Sequence, residues 1–232
     1  MTNFDPDQFK TKFEITEAAI ELYSERDGSF TLKQVAEKTG MEVGDIFNFF
    51  PSKKAILAFY YESLVIRYRM MLEEIDDFDD YLLAEKLSNF VFTTFDLMEE
   101  QQEFVERTFK DTVFYSFSKT PFEERTEELL KDLLKDDSRV AASSSILMNE
   151  YLYSILRKKY LRLIHFWLND ESEGRELSME LTDKYTAFLQ EIMYSAVIDK
   201  GVDLIKFMFS NRILARDIPF VKNLSSKIEI RE

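Results

Sequence analysis

Between Thr39 and Lys54 the chain reads TGMEVGDIFNFFPSKK, and this stretch restricts the fold more than any other. Gly40 suits the left-handed position that closes a helix, because it has no Cβ to clash there. A short helix is predicted from about Val43 to Phe50. Pro51 stops it and Ser52 caps the next. Upstream, Thr31 caps another short helix whose inward residues are Val35 and Ala36. Two short helices joined at a glycine turn and followed by a longer one make a helix-turn-helix arrangement.

The flanking sequence supplies the supporting helices. Asp5-Pro6 reads as an N-cap with proline at the first helical position. Ile15, Ala18, Ala19, Leu22 and Tyr23 follow at helical spacing, and Asp27-Gly28 ends that helix. After Ser52, the residues Leu57, Tyr60, Leu64, Tyr68, Met71 and Ile75 form a stripe at steps of three and four. The acidic knot Asp76-Asp77-Phe78-Asp79-Asp80 breaks it. Further helices are predicted at about 80–99, 102–118, 122–135, 139–169, 176–199 and 202–215. With only 5 Gly and 4 Pro in 232 residues, and no alternating β-branched run, the fold class is all-α. The predicted division is a three-helix head at 1–51 and a helical body at 52–232.

Several functions are disfavoured on the same evidence. There is no cysteine, which excludes disulfides and thiolate metal sites. His165 is the only histidine. With no serine–histidine–acid order in view, no catalytic constellation, metal site or cofactor is expected. The acidic knot is read as a solvated loop carrying an N-cap, not as a magnesium site, which would need a second Asp-rich helix facing it. The first residues have neither a basic start nor an apolar core, so no signal peptide is expected. No apolar run is long enough to span a bilayer, and a cytoplasmic location follows as an expectation. Arg157-Lys158-Lys159 with Arg162 is read as the solvated face of a helix or a partner for acidic loops.

The head resembles the DNA-binding domain of the tetracycline-repressor (TetR) family over about residues 9–60. The resemblance is carried by Ile15, Ala18-Ala19, Leu22-Tyr23, Gly28, Thr31, Val35-Ala36, Thr39-Gly40-Met41, Gly44, Ile46-Phe47, Phe49-Phe50, Ser52-Lys53 and Leu57. It implies a ligand-responsive, non-enzymatic DNA-binding transcriptional regulator, most often a repressor. The partners implied are a double-stranded DNA operator, a second copy of the chain and a small effector. On this resemblance Thr31, Lys33 and Lys53 are expected near phosphates, and Val43, Asp45, Asn48 and Phe49 at the groove or its rim. Gln34, Glu42 and Phe47 are expected among the DNA-binding residues as well. Three positions depart from the family pattern. Glu42 replaces the usual Ser or Thr cap, Asp45 puts a carboxylate on the recognition helix, and Phe47 replaces a tyrosine whose hydroxyl would reach phosphate. A different reading stays open, namely a lipid- or small-molecule-binding protein of the same fold that has lost DNA.

Net charge is −14 for the whole chain, yet Thr31 to Lys54 sums to +1 from four lysines (33, 38, 53, 54) against Glu37, Glu42 and Asp45. The acid lies mainly in the body, so a mildly basic footprint is expected, with a homodimer reading two half-sites. The dimer is expected to form through 176–199 and 202–215, where Leu177, Leu181, Tyr185, Phe188 and Ile192 make one stripe and Leu204, Phe207 and Met208 another. Aromatic crowding from Phe90 to Phe117, with the family resemblance, points to an apolar or aromatic effector. Tyr68, Phe92, Phe95, Tyr115, His165 and Trp167 are the expected walls.

Overall fold

Local signals set the first four helices. In the computed structural model, which describes residues 5–141, 148–195, 200, 201, 203, 204, 207 and 208, helix α1 spans Pro6–Glu25. The Asp5 carboxylate caps it, accepting from the Asp7 and Gln8 amides at 3.1 Å. Asp27 and Gly28 end it in left-handed backbone (φ 50° and 88°). Helix α2 spans Leu32–Thr39 and opens on a capping box. The Thr31 hydroxyl accepts from the Gln34 amide, and the Gln34 side chain accepts from the Thr31 amide at 2.8 Å. Gly40 closes α2 at φ 71°. Helices α3 (Val43–Phe49) and α4 (Lys53–Leu72) follow, with Ser52 capping α4 through the Ala55 amide.

Beyond α4 lie α5 (Leu83–Glu99), α6 (Gln102–Phe109), α7 (Pro121–Lys135), α8 (Glu150–Trp167) and α9 (Glu176–Tyr194). Among the described residues there are nine such α-helices, a few helical residues at 200–208 and no strand. Two expectations need correction, and a third falls outside the described residues. The predicted helix 102–118 stops at Phe109 and passes through one π turn, Lys110–Phe114. The predicted helix 139–169 begins only at Glu150, because the Asn149 side chain caps it by accepting from the Tyr151 and Leu152 amides. Residues 196–199, and most of the predicted helix 202–215, lie outside the described residues.

Two cores share α4. The head core joins Ile15 and Ala19 of α1, Val35 of α2, Ile46 of α3 and Phe50 to Ile56, Phe59 and Ile66 of α4. The body core takes Tyr60, Tyr61, Leu64 and Tyr68 of the same helix. Helix α4 is therefore buried on both sides. The single stripe expected from Leu57 to Ile75 is only part of its pattern, and Met71 within it is exposed.

Directional polar contacts run through the body. The Tyr60 hydroxyl donates to the Leu97 carbonyl at 3.0 Å, Tyr61 meets Thr108 at 2.7 Å, and Tyr160 donates to Thr94 at 2.7 Å. Burial pushes all three phenols up, so they stay protonated. Arg157 of α8 is buried, correcting its reading as a solvated side chain, and pairs with Glu123 and Glu127 of α7. The acidic knot forms a 3-10 turn at Phe78–Asp80. It is held by its carbonyls: Lys86 donates to Asp79 O at 3.0 Å and Arg139 to Asp80 O at 3.2 Å. Asp137 accepts from Arg139 at 2.9 Å and from the Tyr194 hydroxyl at 2.5 Å, clasping this loop to α9.

Head and body also touch through α1 and α6, and a side chain of α4 reaches both. The Tyr23 ring sits edge-on to Phe104 of α6 at 5.6 Å. Arg107 of α6 donates to Asp27 at 2.8 Å. Arg67 of α4 pairs with Glu100 at 3.0 Å and lies over the Phe13 ring of α1.

Candidate functional site

The outer face of α3 carries Gly44, Asp45, Phe47 and Asn48, all exposed, with Phe47 52% accessible despite its apolar ring. Ile46 on the opposite side is fully buried. Anchor and offered surface thus lie on opposite sides of the same short helix. Val43 and Phe49, both expected at the groove, are half-buried and pack against the head core. Glu42 occupies the N-cap of α3 without making a side-chain cap bond.

The cations around this face are differently committed. Lys53, expected on phosphate, donates to the Phe30 carbonyl at 3.0 Å and lies over the Phe30 ring. It ties the start of α4 to the entry of α2. Lys33 pairs with Glu37 at 3.8 Å while remaining exposed. Lys38 is neutralised by Glu21 and Glu25 of α1. Thr31 and Gln34 are occupied with each other in the capping box. Lys54 is exposed, and no carboxylate among the described residues lies at ion-pair distance from it. Sequence reasoning passed it over in favour of its neighbour, although position alone separates the two.

The six expected ligand walls do not line one common space, although two of them meet. Tyr68 is buried and donates to Asn89 at 3.0 Å. Phe95 stacks on Trp167 at 4.9 Å, and Arg175 covers the other side of that indole at 4.1 Å. Phe92 is half-buried against the body core. Tyr115 is 64% accessible just past the π turn. His165 stacks on Phe114 at 4.6 Å. These side chains are packing residues or surface, since their rings already have partners or face solvent.

The space lies elsewhere. Helix α9 packs chiefly on α5, and α8 chiefly on α7, so α8 and α9 touch each other only sparingly. Between them runs a groove of about 290 Å³. Leu87, Phe90 and Val91 of α5 line it, with Leu130 of α7. Leu156, Tyr160, Leu163 and Phe166 form the α8 wall, and Leu181, Tyr185 and Leu189 the α9 wall. Lys159 and Arg162 of α8 border it. On the far side of α8 a second, polar cleft is lined by Phe114, the residues 116–119, Glu123, Arg157, Lys158, Leu161 and Arg162.

On α9, Leu177, Leu181, Phe188 and Ile192 are exposed, Phe188 at 63%. Tyr185, expected in the same stripe, is half-buried and lines the groove. Leu204 and Phe207 are also exposed.

A family model, the tetracyclin repressor-like C-terminal domain, matches residues 86–208, more than half of the chain. The chain belongs to the tetracycline-repressor family. The match falls on the body, where inspection of the sequence found only helicity. Among solved structures, a TetR transcriptional regulator from Nitrosomonas europaea ATCC 19718 is similar in fold, with a TM-score of 0.57 and 18% identity over 79% of this chain and 98% of that one. Comparison with curated proteins gave no match. Among the described residues, no helix is long and apolar enough to cross a membrane.

Proposed function

We propose that this chain is a DNA-binding transcriptional repressor. In this reading it acts as a two-fold homodimer on a double-stranded operator and is released by a small, largely apolar ligand in the groove between α8 and α9. The observation that carries the reading is the exposed outer face of α3, which offers Asp45, Phe47 and Asn48 while Ile46 anchors it. Asn48 has the chemistry to read adenine, and Asp45 can accept from cytosine N4. Lys54 and Lys33 supply phosphate contacts. The exposed α9 residues outside the groove, Leu177, Phe188 and Ile192, support dimerisation, since such an apolar face is a liability on a monomer.

The groove also has a mechanical route to the head. Leu130 of α7 lines it. Helix α7 grips α4 through Arg125–Glu62 and Arg69–Asp132, each at 2.6 Å. Helix α4 begins beside Phe49 and Phe50. A ligand that wedges α8 from α9 moves α7, then α4, then the spacing of the two heads, which must match about 34 Å for adjacent half-sites. Coupling requires the ligand to prefer one spacing over the other.

Selection of bound sequences from a random DNA pool tests the reading. Wild type should enrich a two-fold-symmetric site, and Asn48→Ala should lose discrimination at particular base pairs by about 1–3 kcal/mol. A second reading, a ligand-binding protein without DNA, is favoured by one observation: Glu42 and Asp45 are exposed while Lys38 is neutralised. It is adopted if wild type enriches no sequence at low salt.

A further inference from the structure

The α8–α9 groove is almost wholly apolar along its walls, yet its border is not neutral. Lys159 and Arg162 stand at one edge, one turn apart on α8, and both are exposed. Among the described residues, no carboxylate is within ion-pair distance of either, and neither donates a hydrogen bond. This is notable in a chain with 44 acidic against 30 basic residues. Their neighbour Arg157 shows the contrast, being buried and paired with two carboxylates of α7. Arg162 also borders the polar cleft beyond α8, where Lys158 adds a further exposed cation, while Lys119 there is paired with Glu127 at 3.1 Å. An apolar slot therefore ends at two unneutralised cations, Lys159 and Arg162, inside a protein whose overall field is negative.

We infer that the groove binds a single-chain anionic amphiphile, its hydrocarbon chain along Phe90, Leu163 and Leu189 and its anionic head on Lys159 and Arg162. This rests on reading the groove as the ligand site, and it names the ligand class. Burial of the chain supplies most of the affinity, since it removes apolar area from water on both sides. The two cations supply the choice among head groups, because a charge-assisted hydrogen bond is directional and sign-specific. The family fold alone requires neither the anion nor the position of its head. A neutral or cationic amphiphile of the same length leaves the two cations unmatched.

Titration calorimetry of the full chain, without DNA, tests this with dodecanoate, dodecanol and dodecyltrimethylammonium below their aggregation concentrations. Dodecanoate should bind one per chain, at least about tenfold tighter than dodecanol, with the cationic probe weaker still. Raising salt should erode that preference without weakening dodecanol. In Lys159→Gln/Arg162→Gln, both of whose sites are on the surface, dodecanoate should fall to the affinity of dodecanol. Equal binding of all three probes to wild type would overturn the proposal, as would an unchanged preference in the double variant. The three-probe comparison uses the unaltered protein, so it decides the matter even if the variant misfolds. Because no DNA is present, failure here leaves the operator experiment standing, and failure there leaves this one standing.

Discussion

The two cores of this molecule are held by different means. The head core contains no buried tyrosine and no buried ion pair among the described residues. It is aliphatic and phenylalanine-rich, and its helices are bounded by local devices: the Asp5 cap, the Thr31–Gln34 box, Gly40 in left-handed backbone and the Ser52 cap. The body core is threaded by long-range polar contacts, Tyr60 to Leu97, Tyr61 to Thr108, Tyr160 to Thr94 and Arg157 to Glu123 and Glu127. Apolar packing is nondirectional and tolerates rearrangement. Hydrogen bonds between helices fix which faces meet and at what height. The head thus needs each short helix to start and stop in place, whereas the body needs its helices held in one arrangement around an open groove.

The sharpest break of this comparison is Arg157→Met. It leaves the buried Glu123 carboxylate without its cation and Glu127 with Lys119 alone, and should cost about 3–5 kcal/mol in urea unfolding followed by Trp167 fluorescence. Adding Glu123→Gln and Glu127→Gln should recover much of that loss. A cost under about 1 kcal/mol for the single variant would mean the body is held by packing alone, like the head.

Asp137→Asn addresses the clasp between the acidic knot and α9. Burial works to raise the Asp137 carboxyl, but the hydrogen bonds from Arg139 and Tyr194 outweigh it and hold the group below the usual carboxylate range. A depressed folded-state value means the stabilisation is present above the unfolded value, near pH ~4, and is lost as pH falls through the folded one. The variant should therefore lose about 1–3 kcal/mol at neutral pH. Its deficit should shrink as pH falls below the ordinary carboxylate range and through the depressed folded-state value, a convergence that thermal unfolding across pH would reveal. A deficit independent of pH would assign the loss to shape instead of charge.

The smallest effect belongs to the head. Gly40→Ala puts a Cβ on backbone at φ 71° with nothing within 4 Å of it, so only backbone strain opposes the change. The expected cost is about 1 kcal/mol. A null result would show that the turn between α2 and α3 is set by packing and not by its local residue. Circular dichroism melting suffices to measure it.

The same division explains what could be read beforehand. Caps and left-handed positions are short-range, so Asp5, Thr31, Gly40 and Ser52 were legible one by one. The walls of the groove were not. Tyr68, Phe95 and Trp167 have the composition of a pocket lining, but each ring had already found a partner, and no spacing rule reveals that. The groove exists because α8 leans on α7 and α9 leans on α5, a choice written in contacts far apart in sequence. Lys159, Arg162 and Phe166 do share one edge of a helix by their spacing, and that edge was visible, though not what it faces. Arg157 looked like its basic neighbours and differs only in pointing at α7. Lys53 and Lys54 were indistinguishable until the Phe30 carbonyl took one of them.

The second attachment between head and body, Tyr23 on Phe104 and Asp27 on Arg107, has a mechanical meaning. A head fixed only to the end of α4 would hang from a single rod, free to swivel about it. Fastening α1 to α6 as well gives two anchor points, and two points define an axle. Swivelling is then locked, and rocking about the line that joins the anchors is the soft motion left. Under the proposed function, a push along the body would then reach α3 as rocking of the head and not as swivelling about α4.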